Sequence, residues 1–240
     1  MSDRSWIPAL ILALALMWAG RSIGHGIRNF RVADRGVTVK GVAERAVKAD
    51  LALWPLRLTA AGDQLAEAQA KITRDQRTVR RFLTSHGIDS TQIELQGIDV
   101  ADRGADAYQP ANRGTRYVIT ATLIARSSRP ETIRSASQDI GQLIEAGVVF
   151  SSGGYGSGPT YLFTKLNDLK PAMLAEATQG ARAAADEFTK KAGGKLGGIK
   201  HATQGFFEIL PRDQAPGISQ ENQMDKTLRV VTTVEFALGS

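Results

Sequence analysis

A chain of 240 residues with 42% apolar side chains can bury one large core or two small ones, and 6% aromatics with 24 glycines suit short strands, alanine-rich helices and tight turns rather than disorder. Lys and Arg number 30 against 24 Asp and Glu, so the net charge is +6, a surplus that favours anionic membranes, acidic glycans or nucleic acid without choosing among them. The absence of cysteine excludes disulfides, thiol catalysis and zinc–cysteine sites, and leaves the compartment open.

Ser2, Asp3 and Arg4 precede WIPALILALALMWAG, an uncharged run from Trp6 to Gly20 that has to leave water. It is shorter than the roughly 20 residues of an untilted membrane span and falls in the range of a signal-sequence apolar region. The expectation is an uncleaved signal-anchor over residues 1–24, contacting lipid through Trp6, Ile11, Leu14 and Trp18, with the two tryptophans at the interfaces. A cleaved signal peptide is the alternative; the small residues it needs are present only as Ser22 and Gly24, behind Arg21. Arg4 alone precedes the run, whereas Arg21, Arg28, Arg31 and Arg35 follow it, and counting charges places the body inside. Long domains translocate largely regardless of charge, so that count conflicts with export without deciding the matter.

Residues 25–35 read as a linker, and a folded domain spans 36–240. Gly36 to Lys40 is expected as a short strand, Gly41 to Arg45 as a turn, and Ala46 to Ala60 as a long strand. In that long strand Val47, Ala49, Leu51 and Leu53 share one face, and a bulge at Trp54 and Pro55 flips the phase so that Leu56 and Leu58 turn inward. A helix from about Gln64 to His86 follows, capped by Asp63 and stopped by Gly87. Leu65, Ala68, Ile72, Val79 and Leu83 form its apolar stripe, with Arg74, Arg77 and Arg81 on the opposite side.

Strands at Ile93 to Val100 and Arg116 to Ala125 flank a polar loop, GADAYQPANRG, that carries Tyr108. Ser128 and Glu131 make a capping box for a second helix, with Ile133, Ala136, Ile140, Leu143 and Ile144 inward and Gly147 closing it. Val148 to Phe150 and Thr160 to Leu166 are extended on either side of SSGGYGSG. A third helix begins after Asp168 with Pro171 in its first turn, turns Leu174, Ala177, Ala181, Ala184 and Phe188 inward, and ends at Lys190, Lys191 and Gly193. Strands at Gly198 to Leu210 and Thr227 to Leu238 enclose the polar segment PRDQAPGISQENQMD. The order is a loose threefold repetition and predicts an α+β fold, with mixed or antiparallel sheets and three main helices packed on them.

The third helix and its exit, KPAMLAEATQGARAAADEFTKKAGGKLGGIKHATQG, resemble the SIMPL-domain family in an alanine-rich AR-x-x-A helix that runs into a K-L-G turn and a strand. VTVKGVAERAVKADLALWPL, IGQLIEAGV and RVVTTVEFAL agree in order and spacing, so the likeness covers Gly36 to Leu238. The resemblance implies an α+β fold, a bacterial envelope location that is frequently periplasmic, large ring-like homo-oligomers, and an association with defence against oxidative stress. It carries over no catalytic residue.

The residues by themselves point to no reaction. His25, His86 and His201 share no ligand spacing, and a cation at His86 suits a helix C-terminus. GYGSGP lacks the glycine that a nucleophile elbow places two residues before its serine, and GGKLGG has Leu196 where a phosphate loop has Ser or Thr. Neither a catalytic residue, a cofactor nor a metal is expected. The reading is a single-pass protein of the bacterial inner membrane with its C-terminal domain in the periplasm, a self-assembling scaffold or binding protein with lipid and its own copies as partners and no nucleic acid. Two alternatives stand beside it: an oxidative-stress factor or enzyme with a bound cofactor, and a module that binds an anionic ligand or partner through Arg74, Arg77 and Arg81, or through Tyr108.

Overall fold

The computed structural model describes residues 35–105, 114–151 and 158–239, together with Met17, Trp18, Gly20 and Arg21. It is an α+β arrangement of two antiparallel sheets, in strand order β1-β7-β6 and β3-β4-β2-β5. The strands are β1 (Gly36–Lys48), β2 (Leu51–Gly62), β3 (Ile93–Asp102), β4 (Tyr117–Ser127), β5 (Thr160–Leu162), β6 (Lys195–Pro211) and β7 (Asp225–Gly239). The helices are α1 (Leu65–Ser85), α2 (Pro130–Gln138), α3 (Gly141–Glu145) and α4 (Leu166–Lys191). The chain divides into two compact units.

The first unit takes in residues 35–44, 171–208 and 229–239. Val37, Val234 and Phe236 on the sheet bury against Ala181 and Ala185 of α4. Alanine supplies little apolar area, so this packing depends on backbone approaching backbone. The helix buries Met173, Ala177, Ala181, Ala185 and Thr189, a row repeating every four residues. This corrects the expected stripe, because Ala184 and Phe188 are exposed and Leu174 is half-buried. Spacings of three and four fit these residues about equally well, and only the very close contact with β1 selects the row without a bulky side chain. The helix also begins at Leu166, which puts Pro171 inside it rather than in its first turn.

The second unit takes in Arg45–Lys170 and Ile209–Leu228. Its four-stranded sheet is covered on one face by α1 and α2, both packed on β2 and β4. Trp54, Leu56, Leu58, Ile72, Leu83, Ile119, Leu123 and Ile133 fill the core between. Two expectations are corrected here. β1 runs straight through Gly41 to Arg45 as strand, and the break falls at Ala49 and Asp50. The bulge at Trp54 and Pro55 is also absent, since β2 pairs with β4 in unbroken register from Ala52↔Ser127 to Gly62↔Tyr117. Ala52, Trp54, Leu56, Leu58 and Ala60 all face inward, with no flip of phase. The Arg57 carbonyl accepts from the Ser151 amide and the Thr59 amide donates to the Val149 carbonyl, so this side of β2 faces away from β4. Alternation places the Pro55 nitrogen on that same side, where its missing N–H takes nothing from the β2–β4 ladder.

Helix ends follow the glycines. Gly87, Gly147 and Gly193 close α1, α3 and α4 with φ of 81°, 78° and 72°, in the left-handed region that favours glycine. The expected side-chain caps are different. Gln64 caps α1 without a side-chain bond, while Asp63 accepts from the Arg116 amide at 3.4 Å. The hydroxyl of Ser127, not Ser128, accepts from the Arg129 amide at 3.1 Å ahead of α2. The expected second helix is interrupted at Asp139 and Ile140, which leaves Ile144 exposed on α3.

Candidate functional site

The second unit holds a polar cleft of about 250 Å3 lined by Arg134, Tyr161, Arg212, Asp213, Met224 and Asp225, with Asn222 and Gln223 completing its rim. Antiparallel strand ends build one wall. Arg212, just past the end of β6, and Asp225 at the start of β7 meet across the polar segment, and the Arg212 amide donates to the Asp225 carbonyl at 3.4 Å. The Arg212 guanidinium donates to Asp213 through Nε at 3.0 Å and Nη2 at 2.7 Å, and to Asp225 through Nη1 at 2.9 Å. Gln223 fixes the turn from both sides: its Oε1 accepts from the Asp213 amide at 3.1 Å and its Nε2 donates to the Asp213 carbonyl at 3.0 Å.

The electrostatics follow from these contacts. The hydrogen bond from Arg212 holds the Asp213 carboxyl below the usual carboxylate range. Asp213 and then Asp225 raise the Arg212 guanidinium in turn. Burial raises the Tyr161 hydroxyl, opposed by the Arg134 charge and a hydrogen bond with Ser137. Beneath the segment lies Lys226, only 1% exposed, whose ammonium donates to the Gln220 carbonyl. Burial lowers its pKa, partly offset by Glu221.

None of these residues was singled out in the sequence. They come from four separate stretches, and the one available signal was a charged pair at each end of PRDQAPGISQENQMD, where a connection between neighbouring antiparallel strands brings its ends together.

Of the residues that sequence did single out, Arg74, Arg77 and Arg81 are exposed along α1 with no acidic partner within ion-pair distance among the described residues. Their neighbour Arg80 is half-buried and donates to the Ile93 carbonyl at 2.8 Å. Trp18 is helical and exposed. Trp6, Ile11, Leu14, Tyr108 and His25 lie outside the described residues, as does most of the apolar run from Trp6 to Gly20. Among the described residues, no helix is long and apolar enough to cross a membrane.

His86 contacts the Phe82 carbonyl at 2.9 Å and Asp139 at 3.0 Å, and thereby ties the end of α1 to the end of α2. His201 contacts the Thr203 hydroxyl at 3.0 Å. No group of three or more metal-ligating side chains gathers among the described residues.

Each unit also presents apolar side chains at a sheet edge. In the second unit, β3 pairs with β4 alone among the described strands and exposes Leu95, Ile98 and Val100. Their register partners Leu123, Ala121 and Ile119 are buried, so the three stand on the helix-covered face of the sheet, at its margin. In the first unit, edge strand β6 exposes Ile199 and leaves Phe206 94% accessible. A groove of about 440 Å3 beside β6 is lined by Leu174, Ala175, Thr178, Ile199 and Phe236.

Two antiparallel sheets with helices laid on them define an α+β protein. The chain belongs to the SIMPL family, described as "Protein of unknown function (DUF541)", which it matches over residues 37–236. No curated protein matches it.

Proposed function

We propose that this is a cell-envelope protein, anchored by Trp6 to Gly20 in the bacterial inner membrane with its body in the periplasm, and that the body acts by assembling with copies of itself. The observation that carries the assembly reading is Phe206, almost wholly exposed on the edge of a sheet. An apolar side chain left exposed on an outer strand of a sheet is a contact that another chain can cover. β6 runs 17 residues and, between the charges of Lys195, Lys200 and Glu208, exposes Ile199 and Phe206. Leu95, Ile98 and Val100 are likewise exposed on the outer strand β3, whose pairing with β4 shifts register between Leu95 and Gly97. The anchor reading rests on the uncharged run and its flanking tryptophans.

Chemical cross-linking of full chain in membranes tests the assembly, with Phe206→Glu as the comparison: ladders from the wild type and their loss in the variant are expected, and equal ladders would count against this edge. A reporter fused after Ser240 that works on only one side of the membrane tests the orientation. Activity on the cytoplasmic side would overturn the periplasmic assignment.

A second reading is supported by the Arg74, Arg77 and Arg81 row, which is exposed while Arg80 turns away to a structural bond. Such a row attracts an anionic lipid or acidic partner by charge rather than by base stacking, for which it has no interleaved aromatics. Charge reversal at all three residues would weaken that attraction, and unchanged binding to anionic vesicles would exclude it.

A further inference from the structure

The polar cleft of the second unit carries an inference independent of membrane anchoring and assembly. Its wall from Arg212 to Asp225 holds two carboxylates against one guanidinium, and so has one negative charge in excess. Both carboxylates spend one oxygen, Oδ2, on Arg212, which leaves Oδ1 of each without a hydrogen-bond partner among the described residues. The Gln223 clamp on the Asp213 backbone holds this wall in place before any ligand arrives.

Arg134 of α2 supplies the opposing charge, exposed and without an acidic partner among the described residues. Tyr161, packed beneath, and Met224 give the cleft an apolar patch beside its charges. The volume of about 250 Å3 lies below the roughly 300–1,000 Å3 of sites for drug-sized ligands, so the occupant is small. A simple anion would meet the two carboxylates and a simple cation the two guanidiniums. A molecule with one charge of each sign satisfies both walls, and charge complementarity of this kind gives selectivity against either ion alone.

We propose that the cleft binds a small zwitterion of the α-amino-acid class, with its carboxylate on Arg134 and its ammonium between Asp213 and Asp225. The planar guanidinium fork matches a carboxylate in two hydrogen bonds, and the two free carboxylate oxygens accept from an ammonium.

The test is titration calorimetry of the full chain in detergent with L-alanine, L-methionine and L-glutamine, then with the N-acetyl and amide derivatives of whichever binds, and with glucose. Saturable binding of at least one amino acid is expected, weakened about tenfold or more when either charge of the ligand is removed. Arg134→Ala is expected to abolish binding and Arg134→Lys to keep part of it, both with an unchanged thermal transition because Arg134 is exposed. The proposal is overturned if no amino acid of the panel binds at millimolar concentration, if the blocked derivatives bind as tightly as the parent, if glucose alone saturates the cleft, or if Arg134→Ala binds like the wild type.

Discussion

Gly41 of β1 lies so close to α4 that a methyl group on its Cα would stand 1.8 Å from the carbonyl oxygen of Ala177 and 2.6 Å from the amide nitrogen of Ala181. Both neighbours are backbone and cannot swing aside. The first unit therefore depends on a glycine in the middle of a strand, where glycine is otherwise unfavourable, because its absent side chain lets the helix descend onto the sheet.

Gly41→Ala is accordingly expected to cost about 3 kcal/mol or more in urea unfolding, the upper range for overpacking a filled interior. Gly198→Ala on β6 is the control, because a methyl there meets nothing within 4 Å. Equal stability of the two variants would show that α4 does not hold the position described.

How far the sequence reveals the fold divides along the same lines. The glycine stops at Gly87, Gly147 and Gly193 and the long helix that ends at Ser85 are local events, governed by the left-handed region and amphipathic period, and they fall where expected, whereas the break between the first two strands and the interruption of the second helix do not. The buried row of α4 is not local. Phe188 is large and apolar and reads as core, yet it is displaced by Ala185 because the helix approaches β1 too closely for a ring. Pro55 misleads in the opposite way, since a proline suggests a broken ladder until the sheet shows which side its nitrogen faces. The cleft was hidden for a third reason: Arg134, Tyr161, Arg212 and Asp225 are gathered only by the pairing of distant strands and the packing of α2 on its sheet.

Arg80 and Arg81 are neighbours in sequence and differ in consequence. Arg80→Ala removes a bond to the Ile93 carbonyl and is expected to cost about 1 kcal/mol. Arg81→Ala, at an exposed position, is expected to stay within about 0.5 kcal/mol of wild type. Chemical denaturation of both variants decides, and the reverse ranking would contradict the assignment of Arg80 to structure.

Tyr161 is expected to ionise late. Its pKa is raised by burial above the ordinary value of 10.0, so between that value and its own the folded chain holds a proton that the unfolded chain has released. Stability from this group is present below pH 10 and falls as pH rises through that interval. Ultraviolet titration of tyrosinate in wild type and Tyr161→Phe would show the latest of the transitions missing in the variant. Loss of an early transition would contradict the burial.

Lys226 has the opposite sign. Burial lowers its pKa below 10.5, so between its own value and 10.5 the unfolded chain binds the extra proton, and stability rises with pH in that window. Wild type is therefore expected to gain stability relative to Lys226→Met as pH climbs toward 10.5. A constant difference in denaturation midpoints across that range would show that the ammonium is solvated rather than buried.

The most direct test of the account is the light-scattering mass of the full-length protein solubilised in mild detergent, corrected for bound detergent. The apolar side chains exposed on β3 and β6 predict a mass of several chains that falls when Phe206 is replaced by Glu. A particle containing one chain at every concentration would contradict the assembly on which the proposed function rests.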